Sequence, residues 1–207
     1  MSQDVKPTRT ELMRTKSQIK LAKKGHGLLK KKRDGLILEF FEVMKRAKEL
    51  RAELTSTYKE ADHRIRIARA LDGDMAIESA AKAVNANPNI TVTHKNIVGV
   101  VVPRIEASSV IKKPLERGYG IFTSAAIDEA AAAYEKLGEA ILKVAEIETS
   151  MRRLLNEIEK TKRKVNALEF NVIPTLEKQQ QLISFRLQEM ERDNFVRLKL
   201  IKARLAD

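Results

Sequence analysis

The strongest constraint on the fold is a pair of narrow apolar stripes at helical spacing, one near each end of the chain. The first runs through Leu12, Thr15, Ile19, Ala22, His26, Leu29, Arg33, Leu36, Phe40, Val43, Ala47, Leu50 and Leu54. Ten of these thirteen positions are apolar and the mean step is 3.5 residues, the spacing of a left-handed coiled-coil seam. The second runs through Leu154, Ile158, Thr161, Val165, Leu168, Val172, Leu176, Gln179, Ile183, Leu187, Met190, Asn194, Leu198, Ile201 and Leu205, twelve of fifteen apolar, with a mean step near 3.6. A helix with one apolar stripe cannot bury it alone, and the economical partner for each stripe is the other. The expected fold is therefore mainly α: a long antiparallel two-helix coiled coil from N- and C-terminal helices, around a small middle region.

Composition agrees with long helices rather than a thick globular core. Charged residues make up 33% of the chain and aromatics only 4%, with no Trp. The absence of Cys excludes a disulfide framework. Met1–Pro7 has no apolar signal region, and the apolar run Ile97–Val102 is too short to span a bilayer. The expectation is a soluble protein, or one held at a membrane by something else.

The net charge of +12 is unevenly placed. Residues 1–35 hold eleven Lys and Arg against three acids, residues 152–207 hold thirteen against eight, and the remainder is nearly neutral. If the terminal helices pair antiparallel, both ends share one basic tip, which suits an acidic partner: protein, nucleic acid or anionic lipid. A plain solvated helix surface has the same composition.

Three segments follow. Residues 8–71 form the N-terminal coiled-coil helix, opened by Thr8 and Glu11 as a capping box and running roughly 90–100 Å. Its seam is expected to slip after Leu54, to Tyr58, Ala61, Ile65 and Ala68. Gly25, Gly27 and Gly35 each cost roughly 1 kcal/mol against Ala in a helix. A break near residue 25 is the competing reading. Because the seam stays in phase across all three glycines, a continuous helix is expected, with bare backbone admitting another helix or a partner. His26 and Arg33 lie in the seam, where polar residues set register.

Residues 72–123 form the middle region. Asp72-Gly73-Asp74 ends the first helix, a short helix follows over Met75–Val84, and Asn87-Pro88-Asn89 is a turn signal. Ile90–Thr93 and Ile97–Ile105 read as two strands around His94-Lys95-Asn96, a β-hairpin at about 90–105. A lone hairpin is marginal, so it is expected to lean on the helical pair or on another protein chain. Residues 108–122, with Pro114, Gly118 and Gly120, read as a loop. Residues 124–205 form the C-terminal coiled-coil helix, capped by Ser124, with Asp128 and Glu129 favourably placed in its first turn. Pro174 removes a backbone hydrogen bond, so a kink is expected near Asn171–Ile173, with a full break as the other outcome.

The chemistry of an enzyme is missing from the motifs. No Gly-Lys-Ser/Thr phosphate loop occurs, and His26, His63 and His94 are single and far apart. Gly118-Tyr119-Gly120 lacks the strand–turn–helix setting of a phosphate loop, and Glu146 and Glu148 read as helix-surface charges. No catalytic, cofactor-binding or metal-binding residue is assigned, and no cofactor is expected. Aromatics for stacking on bases are few, which argues against a nucleic-acid surface.

Four segments carry a resemblance: Pro7-Thr-Arg-Thr-Glu-Leu-Met-Arg14, Lys20-Leu-Ala-Lys-Lys-Gly-His-Gly-Leu-Leu-Lys-Lys-Lys-Arg-Asp34, Arg163-Lys-Val-Asn-Ala-Leu-Glu-Phe-Asn-Val-Ile-Pro174 and Arg192-Asp-Asn-Phe-Val-Arg-Leu-Lys199. In order and spacing the chain resembles the D subunits of the archaeal-type and vacuolar-type rotary ATPases, with the short tail leaning to the archaeal or bacterial type. The resemblance implies a non-catalytic rotor shaft in the central stalk, its coiled coil inserted in a hexamer of catalytic A and B subunits. It also implies an F subunit on the side of the shaft and a C subunit linking the mid-sequence end to the membrane rotor ring. The shaft would couple ATP synthesis or hydrolysis to H+ or Na+ transport. It would lie peripherally at the cytoplasmic side of the membrane, with no direct membrane insertion and no nucleic acid bound. Without the resemblance, a basic coiled-coil nucleic-acid-associated protein and a homodimeric structural coiled coil remain open.

Overall fold

The computed structural model describes residues 6–84, 89–108, 117–119 and 123–206. They form helix α1 (Arg9–Ala83), strands β1 (Asn89–Ile97) and β2 (Val100–Ser108), helix α2 (Ala125–Ala167), a five-residue π-helical turn (Leu168–Val172) and helix α3 (Ile173–Ala206). The expected turn at 87–89 and loop over 108–122 lie outside the described residues, apart from Asn89, Ser108 and Arg117–Tyr119. The chain divides into two compact units, one of Met1–Asp34 with Ile158–Asp207 and one of Gly35–Glu157.

In the first unit the terminal helices run antiparallel. Arg9 pairs with Glu191 at 2.7 Å and Lys23 with Glu177 at 2.8 Å, so 14 residues forward on α1 match 14 residues back on α3. These ion pairs are exposed and contribute roughly 0–1 kcal/mol each, so they report the register more than they stabilise it. The apolar stripes supply the burial: Thr15 and Ile19 on α1, Thr161 and Val165 on α2, and Ile183 on α3 are all buried. The Thr15 hydroxyl donates to the Glu11 carbonyl at 2.9 Å, which satisfies a polar group inside the seam.

The start of α1 departs from the expected capping box. The Glu11 N–H donates to Thr8 Oγ1 at 3.2 Å, as expected. The Thr8 N–H donates to the Lys6 carbonyl at 2.9 Å, so the reciprocal half of the box is not made. The helix then runs unbroken through Gly25, Gly27 and Gly35. A Cβ built on any of the three meets nothing within 4 Å, so no part of the described chain uses the space their missing side chains leave.

At Pro174 the helix neither breaks nor simply bends. The backbone widens into the π-helical turn Leu168–Val172, in which the Ile173 N–H reaches back to the Leu168 carbonyl. The extra residue rotates the stripe, so Val172, expected in the seam, is exposed, and Ile173 is half-buried in its place. Past Glu191 the stripe loses its partner. Leu198, Ile201 and Leu205, expected in the seam, are exposed, as are Met190 and Asn194. The physical reason is length. Helix α1 begins at Arg9, opposite Glu191, and α3 continues to Ala206 with no helix facing it among the described residues.

In the second unit α1 and α2 are again antiparallel, with Arg51 paired to Glu148 at 2.6 Å and Arg64 to Glu129 at 2.5 Å. The seam does not slip after Leu54. Thr57 takes the next position and is half-buried, Ala61 is fully buried, and Tyr58 is 57% exposed. The 3–4 alternation thus continues with a threonine in the seam, and the larger tyrosine beside it points to solvent. Asp72-Gly73-Asp74 does interrupt α1: Gly73 sits at φ 76°, ψ 164°, a region essentially restricted to glycine. The helical stretch that follows packs back, placing Ala80 in one buried cluster with Ala68, Ile127 and Ala130.

The hairpin is antiparallel with Ile97 opposite Val100 and Asn89 opposite Ser108. Its turn is Val98-Gly99, both at positive φ, and not His94-Lys95-Asn96, which lie within β1. A two-residue loop with positive φ at both positions follows the right-handed strand twist. Gly99 supplies the permissive residue, while a β-branched valine at φ 49° is strained.

Candidate interaction surface

Among the described residues no group of three or more His, Asp or Glu side chains could hold a metal ion, and no helix is long and apolar enough to cross a membrane. The residues that sequence reasoning set aside have structural partners. Glu148 pairs with Arg51, and Glu146 accepts the Ile105 N–H at 3.0 Å. Arg33 donates from both Nε and Nη2 to the one oxygen Oδ1 of its neighbour Asp34. His26 lies in the seam as expected, with Nε2 3.4 Å from Glu169 Oε2 in the π-helical turn, so this polar pair marks where the two helices of the coil face each other. Three surface features stand out.

The first is cationic. The first unit holds 22 Lys and Arg against 10 Asp and Glu, a formal charge of +12, whereas the second holds 18 against 18. The whole excess charge of the chain thus belongs to the paired terminal helices. Lys20, Lys24, Lys30 and Lys31 on α1 and Lys160, Lys162, Arg163 and Lys164 on α2 are exposed, with no carboxylate within salt-bridge reach among the described residues. Helical spacing forces this: the apolar stripe faces inward, and the lysines between its positions face water.

The second is apolar. Beyond Glu191, α3 exposes Phe195, Val196, Leu198, Leu200, Ile201 and Leu205, all more than half accessible. Single exposed apolar residues are ordinary, but six within eleven positions on one helix, with no neighbour facing them among the described residues, form a patch of the kind that marks interaction sites.

The third fixes a surface rather than forming one. Arg117 is 5% exposed and grips Glu135 with two bonds of 2.9 and 3.0 Å. Its Nη1 donates to the Asp128 carbonyl and carboxylate at 3.2 Å each, and the Tyr119 hydroxyl donates to Asp128 at 3.0 Å. The hydrogen bond to Glu135 raises the affinity of Arg117 for its proton still further. Burial first, and the Asp128 contact second, raise the Tyr119 phenol above its usual value. This network ties residues 117–119 to the first turns of α2. Sequence reasoning missed it, because a single Arg in a Gly- and Pro-containing stretch gives no periodic signal.

Known proteins match this chain along nearly its whole length. The family described as ATP synthase D subunit matches residues 11–203. The A-type ATP synthase D subunit of Methanosarcina mazei is 52% identical over 206 residues, covering 99% of each chain. The proteins of that name from Methanococcoides burtonii and Archaeoglobus fulgidus are 54% and 49% identical, covering 97% and 98% of this chain and 98% of each relative.

Proposed function

The chain belongs to the ATP synthase D-subunit family, and from that premise we propose that it is the rotor shaft of an A-type ATP synthase. It is a non-catalytic central-stalk subunit of a membrane-associated complex that couples ATP synthesis or hydrolysis to ion transport. The observation that carries the reading is the match over nearly the full chain, together with terminal helices that pair antiparallel in the register Arg9–Glu191 and Lys23–Glu177. Torque transmission needs an element that resists twist, and two helices that bury one another's stripes brace each other where a single helix would not.

The finer assignment follows from the surfaces. The cationic helices and the exposed apolar end of α3 suit insertion into a hexamer of A and B subunits. The apolar patch would find its missing cover there, and the lysines would face acidic groups of the hexamer and guide assembly. The F subunit is assigned to the side of the shaft and the C subunit to the mid-sequence end, on the cytoplasmic side of the membrane. Neither the nucleic-acid nor the homodimer reading is favoured, since full-length relatives carry the D-subunit name.

Isolation of the tagged chain from membranes tests the reading, with co-isolation of A, B and F subunits expected. Recovery of the chain alone, or with nucleic acid, would reject it. The electrostatic part is separable: reconstitution should slow as ionic strength rises, and a rate indifferent to salt would remove the charge argument while leaving the shaft.

A further inference from the structure

The two edges of the hairpin are treated differently. In a hairpin closed by a two-residue turn, Ile97 and Val100 form the first hydrogen-bonded pair, and bonded and non-bonded pairs then alternate. Residues 101, 103, 105 and 107 on β2 and residues 90, 92, 94 and 96 on β1 therefore turn their backbone groups away from the partner strand. Side-chain contacts agree. The outward Ile105 N–H is taken by Glu146, and the outward Val101 carbonyl accepts from Arg153 at 2.9 Å. Pro103 stands where an outward N–H would be, so its missing donor costs the ladder nothing. The outer edge of β2 is thus closed by α2 and by proline.

The outer edge of β1 has none of this. The outward groups of Ile90, Val92, His94 and Asn96 have no hydrogen-bond partner among the described residues, and all residues from Ile90 to Asn96 are exposed. Edge strands are normally blunted by short length, proline, bulges or charge. β1 is nine residues long, pairs without a bulge, holds no proline and carries one lysine. Ile90 and Val92 on the same face are about half exposed, as is Val101 on the partner strand. The tip adds an independent sign: the exposed Val98 is held at φ 49°, where Asn or Gly would be unstrained, so the turn keeps an apolar side chain outward at a cost.

We propose that the open edge of β1 pairs with an extended segment of another protein of the ATP synthase, which adds a third strand to the hairpin. Backbone groups at Ile90, Val92, His94 and Asn96 would bond the added strand, and Ile90 and Val92 would receive its alternate apolar side chains. β1 carries His94 and Lys95 and no carboxylate, which suits a segment bearing acidic residues. Two copies of this chain would instead place two strands with Lys95 and no acid side by side. The proposal rests only on membership of the complex and not on which of its proteins surrounds the helices.

Residue-resolved amide hydrogen exchange on the chain alone and in the assembled ATP synthase tests it without any substitution. The outward amides of Val92, His94 and Asn96 should exchange at least about tenfold more slowly in the assembly, while Thr91, Thr93 and Lys95, already paired within the hairpin, change little. Equal exchange of the outward amides in both states would overturn the proposal. So would protection already present in the dilute chain, or protection that grows with concentration of the chain alone, which would mean a cover from its own residues or from a second copy. His94→Pro removes one outward donor at a position facing Pro103, which the hairpin already accommodates. It should abolish the added protection while Thr93 and Lys95 stay slow, whereas His94→Thr should retain it. Protection unchanged in His94→Pro would also overturn the pairing.

Discussion

The two units of the chain solve the same problem, burying helical stripes, with different materials. In the first the buried positions are Thr15, Ile19, Thr161, Val165 and Ile183, and all of the excess positive charge lies on the outside. In the second, six alanines, Ala47, Ala61, Ala68, Ala80, Ala130 and Ala140, are buried beside larger residues such as Leu36, Leu137 and Leu154, the formal charge is zero, and side chains reach across to backbone: Arg117 to Asp128, Glu146 to Ile105, Arg153 to Val101. Small side chains let helices approach closely and leave little volume to fill, so specific polar ties define the arrangement. The first unit buries no alanine among its described residues, and the hydrogen bonds between its helices run from side chain to side chain, as in Arg9–Glu191 and His26–Glu169. The contrast teaches that one continuous helical pattern in sequence can carry two kinds of core.

Breaking the ties of the second unit should give the largest effect. Arg117→Ala removes the buried cation that bonds both Glu135 and Asp128, and should cost about 3 kcal/mol or more. Unfolding in denaturant measures it. A loss under about 1 kcal/mol would show that the network is decorative and that alanine packing alone holds the unit. In the first unit the comparable break is a cavity. Ile183→Ala should cost about 2–5 kcal/mol, whereas Ala68→Leu in the second should cost about 1–3 kcal/mol by overpacking. If Ala68→Leu proved neutral, the close approach inferred from the alanines would be wrong.

The sequence carried the periodic parts of this structure and little of the rest. Leu12, Ile19, Leu36, Ala47 and Leu54 all turn inward as their spacing requires, because a heptad pattern reports directly which face is covered. Tyr58 misled because its ring reads as apolar while its hydroxyl is content in water; the true seam residue, Thr57, reads as polar from its hydroxyl although its methyl group packs. The hairpin turn was displaced because Val98 contradicts turn preference, and only Gly99 gave a cue. Pro174 announced a disturbance but not its form, since whether backbone bends or widens depends on how the neighbouring helix holds the register. The bare end of α3 was unreadable for another reason. Periodicity says that a helix wants a partner, but not that the partner belongs to the same chain. The Arg117 network depends on side chains brought together by the fold, which no spacing encodes.

A smaller effect sharpens the same contrast through pH. The raised Tyr119 phenol means that the folded second unit holds this proton more tightly than the unfolded chain does. Its contribution is therefore complete below the usual phenol value of about 10 and is lost as pH rises from there through the folded value. Unfolding midpoints of the wild type should thus fall more steeply above about pH 10 than those of Tyr119→Phe. Parallel profiles would place the phenol in an ordinary environment.

The glycines give the finest test, because the same residue is used in opposite ways. Gly73 in the second unit sits at φ 76°, and a Cβ there meets nothing within 4 Å, so Gly73→Ala should destabilise by about 1–3 kcal/mol through backbone strain alone. Gly25 and Gly27 in the first unit are helical and equally open, so an added Cβ brings helix propensity without a clash. Gly25→Ala and Gly27→Ala should each stabilise the isolated chain by about 0.5–1 kcal/mol. If a partner approaches the bare backbone at these two glycines, on the most cationic stretch of the helix, what the isolated chain gains the complex loses. The alanine variants should therefore melt higher alone and yet assemble into the ATP synthase less well than the wild type. A variant that gained stability and assembled normally would reduce the two glycines to unused slack, and the cationic helices would then owe their partner surface to charge alone.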